Sequence, residues 1–201
     1  MSDVQSFIRF SETEFGTTIM DREAAYIKQY VAADDRILNV GCGIGSLEER
    51  FPEYQIIGLD RSEEMVQAAR GRVAAPIILG DATALPIATA SVDTIVFVST
   101  LEFISDIDSA LAEATRVLTS EGTIVTLVLN TRSEYVQSNL QREGSYFQRM
   151  IHRDSETLAK TILHQIDGEQ EFFLGISDKE VFESSEPTTA AISSIVGTPT
   201  G

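Results

Sequence analysis

Five short apolar runs punctuate the chain, at 36–40, 55–59, 76–79, 94–98 and 123–129. They are rich in Ile, Val and Leu without alternating polar positions, which is how strands buried on both faces of a parallel sheet read. Patterns of helical period separate several of them. Ser46 followed by Glu49 has the capping-box spacing of a helix start. Ser62 precedes an apolar stripe of Met65, Ala68, Ala69 and Val73. Asp106 precedes Leu111, Ala114 and Leu118, with Gly122 placed to end that helix in a carboxyl cap. Strands alternating with helices predict right-handed crossovers and a doubly wound α/β sheet.

The tail has a different rhythm. Residues 171–175, 181–185 and 190–197 are strand-like and joined by turns too short for a crossover helix, so they are expected to pair antiparallel. Residues 131–170, before them, are mixed and partly helical and carry Tyr135, Tyr146 and Phe147. Together with the amphipathic opening at 4–30 they are the natural material for a lid.

Composition narrows the function. The chain has 201 residues, 43% of them hydrophobic, enough for one core and one domain. A formal charge of −16 repels a phosphate backbone, so nucleic acid is a poor partner, and the acidity serves solubility. No apolar stretch is long enough to span a membrane, and 1–10 lacks the basic-then-apolar order of a signal peptide. The single cysteine, Cys42, has no intramolecular partner, so a reducing, cytoplasmic setting is expected. Two histidines and one cysteine at unrelated spacings predict no metal site.

In open α/β sheets the ligand sits beyond the carboxyl ends of the strands. There the first strand runs into Asn39-Val40-Gly41-Cys42-Gly43-Ile44-Gly45-Ser46, a glycine-rich turn that lets a ligand approach the backbone. The second ends in Leu59-Asp60-Arg61, where a carboxylate can accept from ribose hydroxyls. A dinucleotide site shares this logic, but Ser46 stands where its fingerprint wants a third Gly or Ala. The third strand ends in Gly80-Asp81-Ala82, Val92-Asp93 opens the fourth, and Arg116-Val117-Leu118 with Gly122 precedes the fifth.

These motifs, in this order over about 36–130, resemble the class I S-adenosylmethionine-dependent methyltransferases, and within them the small-molecule enzymes of the type 11 group. The resemblance implies a Rossmann-like, seven-stranded, mostly parallel sheet in the order 3-2-1-4-5-7-6, with the last strand antiparallel and helices on both faces. It implies a helical cap at 1–35, a donor-binding core at 36–130, a lid at 131–170 and antiparallel strands at 171–201. S-adenosylmethionine would be the methyl donor and S-adenosylhomocysteine its product. Backbone at Gly41, Cys42, Gly43 and Gly45 would line the methionine moiety, and Asp60 would bind the ribose. Arg61 and Met65 would border the adenine, although Met65 lies on the apolar stripe and reads more readily as core. Asp81 would accept from the adenine amino group while the Ala82 amide addresses a ring nitrogen. Val98 and Ser99 would pass close to the donor, with Leu101 walling the pocket. One departure stands out: Asn39 occupies a position where the family usually has an acidic residue.

A sulfonium methyl group is a strong electrophile, so alignment of a small-molecule acceptor is the main task, and little acid-base machinery is needed. A hydroxyl or amine acceptor would be helped by a base. Candidates are Glu102, Tyr146 and His152, with His164 more remote. Two rival readings remain in view: a module that binds the donor without catalysis, and a nicotinamide-dependent oxidoreductase.

Overall fold

The computed structural model describes residues 3–177 and 180–200, so expectations for the first two residues fall outside the described part. In chain order the elements are α1 (Asp3–Ser11), α2 (Glu14–Ile27), β1 (Arg36–Val40), β2 (Gln55–Asp60), α3 (Glu63–Arg70) and β3 (Ile77–Leu79). They continue with β4 (Val92–Val98), α4 (Ile107–Val117), β5 (Leu118–Leu129), α5 (Glu134–Gln141), α6 (Ser155–Gln165), β6 (Ile166–Ser177), β7 (Glu180–Phe182) and β8 (Ala190–Pro199). The strands form one sheet in the order β3-β2-β1-β4-β5-β8-β6-β7. β1 to β5 pair in parallel, whereas β8 runs antiparallel to both β5 and β6.

The expectation of seven strands is corrected to eight. Residues 180–182 form a short edge strand that pairs antiparallel with the end of β6, while β8 inserts between β5 and β6. With that edge strand set aside, the order is the expected one. Two helix boundaries also differ. No α-helix follows the glycine turn; only a short 3-10 turn at Glu48–Arg50 forms, because Pro52 disfavours helical geometry at Phe51 and leaves no room for a second turn. The helix before β5 ends at Val117, and no carboxyl-cap glycine is used. Gly122 instead lies within β5 without a positive φ, where an added Cβ would stand 2.6 Å from Leu118 Cδ2 and 3.0 Å from the Asp93 carbonyl oxygen.

The central strands bury both faces because successive side chains serve different layers. On β4, Ile95 and Phe97 join the core packed under α4 and α6, while Val96 joins the core under α2 and α5. α6 therefore belongs to the α/β layer and not to a lid: Leu158 and Ile162, one turn apart, are buried beside Ala110, Leu111 and Ala114 of α4. α1, α2 and α5 cover the opposite face. α3 packs separately on Cys42 and Ile77 through Val66 and Ala69. Side-chain caps fix helix entries at the carboxyl edge, with Ser62 accepting from the Met65 amide and Asp106 from the Ser109 amide, each worth about 1 kcal/mol.

Candidate functional site

The glycine turn is held to β2 by two bonds, the amides of Gly41 and Cys42 both donating to the Leu59 carbonyl, at 2.7 and 2.9 Å. Gly41, Gly43 and Gly45 have φ of 80°, 55° and 82°, a region that favours glycine. They differ in surroundings. A Cβ on Gly43 would meet nothing within 4 Å, so the turn opens onto free volume there. A Cβ on Gly41 would lie 2.3 Å from Thr100 Cγ2. Gly41→Ala is therefore expected to cost about 2–4 kcal/mol, from the left-handed backbone and the overlap together, and to lower the melting temperature by about 4–16 °C. Thr100→Gly in the same chain should restore only the overlap part. Unchanged melting of the single variant would contradict this geometry.

Asp60 closes the turn from β2. Its Oδ2 accepts from the Gly43 amide at 2.9 Å and its Oδ1 from the Ser62 amide at 2.8 Å, which leaves each oxygen a second lone pair. Parallel pairing sets Asp60 beside Leu79, and the Gly80 amide donates to the Asp60 carbonyl at 3.0 Å, so Asp81 follows immediately alongside. Asp81 Oδ1 takes both the Thr83 amide (2.9 Å) and the Thr83 hydroxyl (2.8 Å). These bonds, with Arg61 nearby, hold its carboxyl below the usual range, and no partner among the described residues occupies Oδ2. Arg61 is exposed; Met65 is buried at 8% exposure yet belongs to none of the three apolar clusters. Ala82 is buried beside Leu85.

The end of β4 forms the third side. Val98 is half-buried, and Ser99 adopts φ 46° while its amide donates to the Leu127 carbonyl at 2.7 Å, an unusual conformation for a residue with a Cβ. Leu101 is fully buried in the apolar cluster under α4, directly behind the end of β4. Glu102 is fully enclosed. Its Oε1 accepts from the Leu129 amide at 2.5 Å, and its Oε2 has no partner. Burial pushes its carboxyl up to about 7 against the opposing effect of that amide.

The remaining candidates spread around Glu102. Its carbonyl accepts from the amides of Ile151 (2.9 Å) and His152 (3.1 Å), and His152 Nε2 lies 2.8 Å from the Ile104 carbonyl oxygen. His152 lines a groove of about 530 Å³ between the amino ends of α4 and α6, on the opposite face from α2. Tyr146 packs its ring on Phe103 and on Phe7 of α1, with centroids 4.9 and 4.7 Å away. His164 is exposed near the end of α6, away from the strand ends.

Two residues, Glu48 and Glu23, were not foreseen, and Tyr135 had been named only as a lid aromatic. Glu48 is buried at 2% exposure beneath the turn, accepting from Asn39 Nδ2 at 2.9 Å. Glu23 of α2 and Tyr135 of α5 lie on the face that holds Phe103. Burial pushes Glu23 up to about 7; Arg50 opposes this and the charge of Glu102 adds to it. A signal for Glu23 exists in the sequence: it falls between Ile19 and Ile27 at four-residue spacing, on the buried stripe of α2.

Residues 38–126 match the model of a family described as a methyltransferase domain. The chain is 36% identical over 97 residues to a malonyl-(acyl-carrier protein) O-methyltransferase of Xylella fastidiosa (strain M23), covering 44% of this chain and 33% of the relative. It is 33% identical over 115 residues to a demethylmenaquinone methyltransferase of Deinococcus radiodurans, covering 53% and 48%. The alignments span about a third to a half of the length of these curated relatives. A solved Thermotoga maritima structure, described as an S-adenosylmethionine-dependent methyltransferase and possible histamine N-methyltransferase, superposes with a TM-score of 0.81. That likeness covers 98% of this chain and 95% of the other at 22% identity, and it shows the fold. Over residues 38–126 the family model, the motif order and the sheet topology coincide, so this part of the chain is similar to methyltransferase domains and the whole chain shares their fold.

Proposed function

We propose that the protein transfers a methyl group from S-adenosylmethionine to a small-molecule acceptor. The observation that carries this reading is the convergence of the open turn at Gly43, the bridging carboxylate of Asp60 and the adjacent Asp81 at one sheet edge. The residues present fit the donor. Spare lone pairs on both Asp60 oxygens suit a ribose diol, and Asp81 Oδ2 suits the adenine amino group, with the Ala82 amide beside it for a ring nitrogen. Arg61 and Met65 would border the adenine. The positive-φ backbone from Gly41 to Gly45 would accommodate the methionine portion, with Val98 and Ser99 facing it. When bound, the donor supplies an electrophilic methyl group. The protein then has to bind, orient and keep water from the reacting atoms. Its single cysteine, buried at Cys42 with the thiol pushed well above its ordinary range by burial, agrees with a reducing, cytoplasmic setting.

Thermal shift and labelled-methyl transfer test the reading together. At a ligand concentration of about 100 Kd, S-adenosylmethionine and S-adenosylhomocysteine should each stabilise by about 2.7 kcal/mol, whereas NAD should do nothing. Transfer of label to a member of a metabolite panel completes the test. Stabilisation by NAD alone would overturn the proposal in favour of an oxidoreductase. Tight donor binding with no transfer across the panel would favour a binding module.

A further inference from the structure

The two ends of α1 are held in different ways. From Val4 to Phe10 no residue is buried, and only Ser11, at the carboxyl end, is. That end is fixed. A Cβ on Gly16 of α2 would overlap the Phe10 carbonyl oxygen, so the two helices meet backbone to backbone, and Thr17 Oγ1 donates to the Ser11 carbonyl at 3.0 Å. The amino end rests on rings. Phe7 meets Tyr146 edge to face with centroids 4.7 Å apart, and Tyr146 meets Phe103 at 4.9 Å, all three rings half-buried.

Both ends lead back to the glycine turn. On the ring side, the Phe103 amide donates to the Thr100 carbonyl at 3.0 Å, and the Thr100 side chain is the group that a Cβ on Gly41 would strike. On the fixed side, Arg72 Nη2 reaches Ser11 Oγ at 3.5 Å and Glu49 Oε2 at 3.4 Å, and the Glu49 amide donates to the Gly45 carbonyl at 3.0 Å. Phe7 and Ser11 are separated by one helical turn, about 6 Å along the axis. These contacts close a circuit that leaves the turn at Gly41, passes through the rings and along α1, and returns at Gly45. Between its two points of attachment lies Gly43, above which the volume is open.

Resting on the methyl-transfer reading, we infer that α1 and the 3-10 turn Tyr146–Arg149 form a gate over the donor site, which swings about the junction of Ser11 with Gly16 and is latched by Tyr146 between Phe7 and Phe103. A helix with one buried residue opens far more readily than the strands of the core. Ring pairs of this kind each shift such an opening equilibrium by roughly two- to tenfold. In the closed arrangement the rings and α1 frame the space above Gly43, so donor and product exchange while the latch is undone. Residues 155–165 take no part, because α6 is packed beside α4.

The test is the rate at which labelled S-adenosylhomocysteine associates and dissociates, measured by rapid mixing. Tyr146→Ala should speed both steps by at least about fivefold and leave Kd within about threefold, which also reports correct folding. Tyr146→Phe keeps the ring and should stay within about twofold of wild type in both rates. Phe7→Ala should accelerate exchange less than Tyr146→Ala, and should add nothing to it in the double variant, because the two share one contact. Without ligand, hydrogen exchange at the amides of residues 7–10 and of Gln148 and Met150 should show one common protection, lowered by a similar factor in Tyr146→Ala. A Tyr146→Ala variant that melts earlier but exchanges ligand at the wild-type rate overturns the gate, since the ring would then only pack. Acceleration by Tyr146→Phe equal to that by alanine, or unrelated protection of the two segments, also overturns it. Wild-type protein that binds no S-adenosylhomocysteine overturns the methyl-transfer reading together with its gate, whereas binding with unchanged rates overturns the gate alone.

Discussion

Asp60→Ala should lower the affinity for S-adenosylhomocysteine by about 100-fold or more. The carboxylate spends one lone pair of each oxygen on the Gly43 and Ser62 amides, at 2.9 and 2.8 Å, and offers the others to a ribose diol. Hydrogen bonds to a charged acceptor contribute about 1.5–3 kcal/mol each, so two of them give about 3–6 kcal/mol, or roughly 100-fold to 10⁴-fold. Alanine also frees the Gly43 amide, which loosens the turn. Asp60→Asn keeps one acceptor oxygen and should fall between wild type and alanine. Calorimetric titration checks the ranking. If Asp60 only braced the glycine turn and held Ser62 at the entry to α3, thermal stability would fall while ligand affinity in the folded variants stayed unchanged.

Glu48→Gln should stabilise the protein above neutral pH and change little in mild acid. Burial pushes the Glu48 carboxyl from 4.5 to about 7, with the Asn39 amide working against the shift. The folded state therefore keeps a proton that the unfolded chain has released. Stability from this group is full below about pH 4.5 and is lost as pH rises through about 7. Above that range the ionised side chain costs on the order of 3 kcal/mol. A glutamine cannot ionise, and its amide can donate to Asn39 Oδ1, which like Glu48 Oε2 lacks a partner. The expected gain at pH 8 is about 6–12 °C in melting temperature, with a difference near zero at pH 5. The variant should retain part of the wild-type pH slope, because burial also pushes the Glu23 and Glu102 carboxyls up to about 7. A gain of equal size at both pH values would remove ionisation as the cause.

The fold was legible where one residue type serves one purpose. Unbroken Ile, Val and Leu runs marked the five parallel strands because a strand covered on both faces has no polar side. Gly41, Gly43 and Asp60 were legible because positive φ and a carboxylate at a strand end each restrict the choice of residue. Elements set by competition were not. The capping pattern at Ser46 was real in spacing, but Pro52 cut the helix to a single 3-10 turn. The two-turn stripe of α6 read as lid material until its packing beside α4 appeared, whereas the strand-like run at 181–185 proved to be a shorter edge strand, Glu180–Phe182. The buried carboxyl groups were hardest to see, because the sequence does not distinguish a charged residue on a helix surface from one facing the interior. Glu102 alone was named, from its place after the fourth strand; Glu48 and Glu23 were not, although Glu23 lies on the stripe of Ile19 and Ile27.

A crystal structure with S-adenosylhomocysteine bound tests the account most directly. The account predicts both ribose hydroxyls on Asp60, the adenine amino group on Asp81 Oδ2, and the methionine chain along the Gly41 to Gly45 backbone. Adenosine bound away from Asp60 and Asp81, or a ligand excluded because protein side chains fill the space above Gly43, would contradict it.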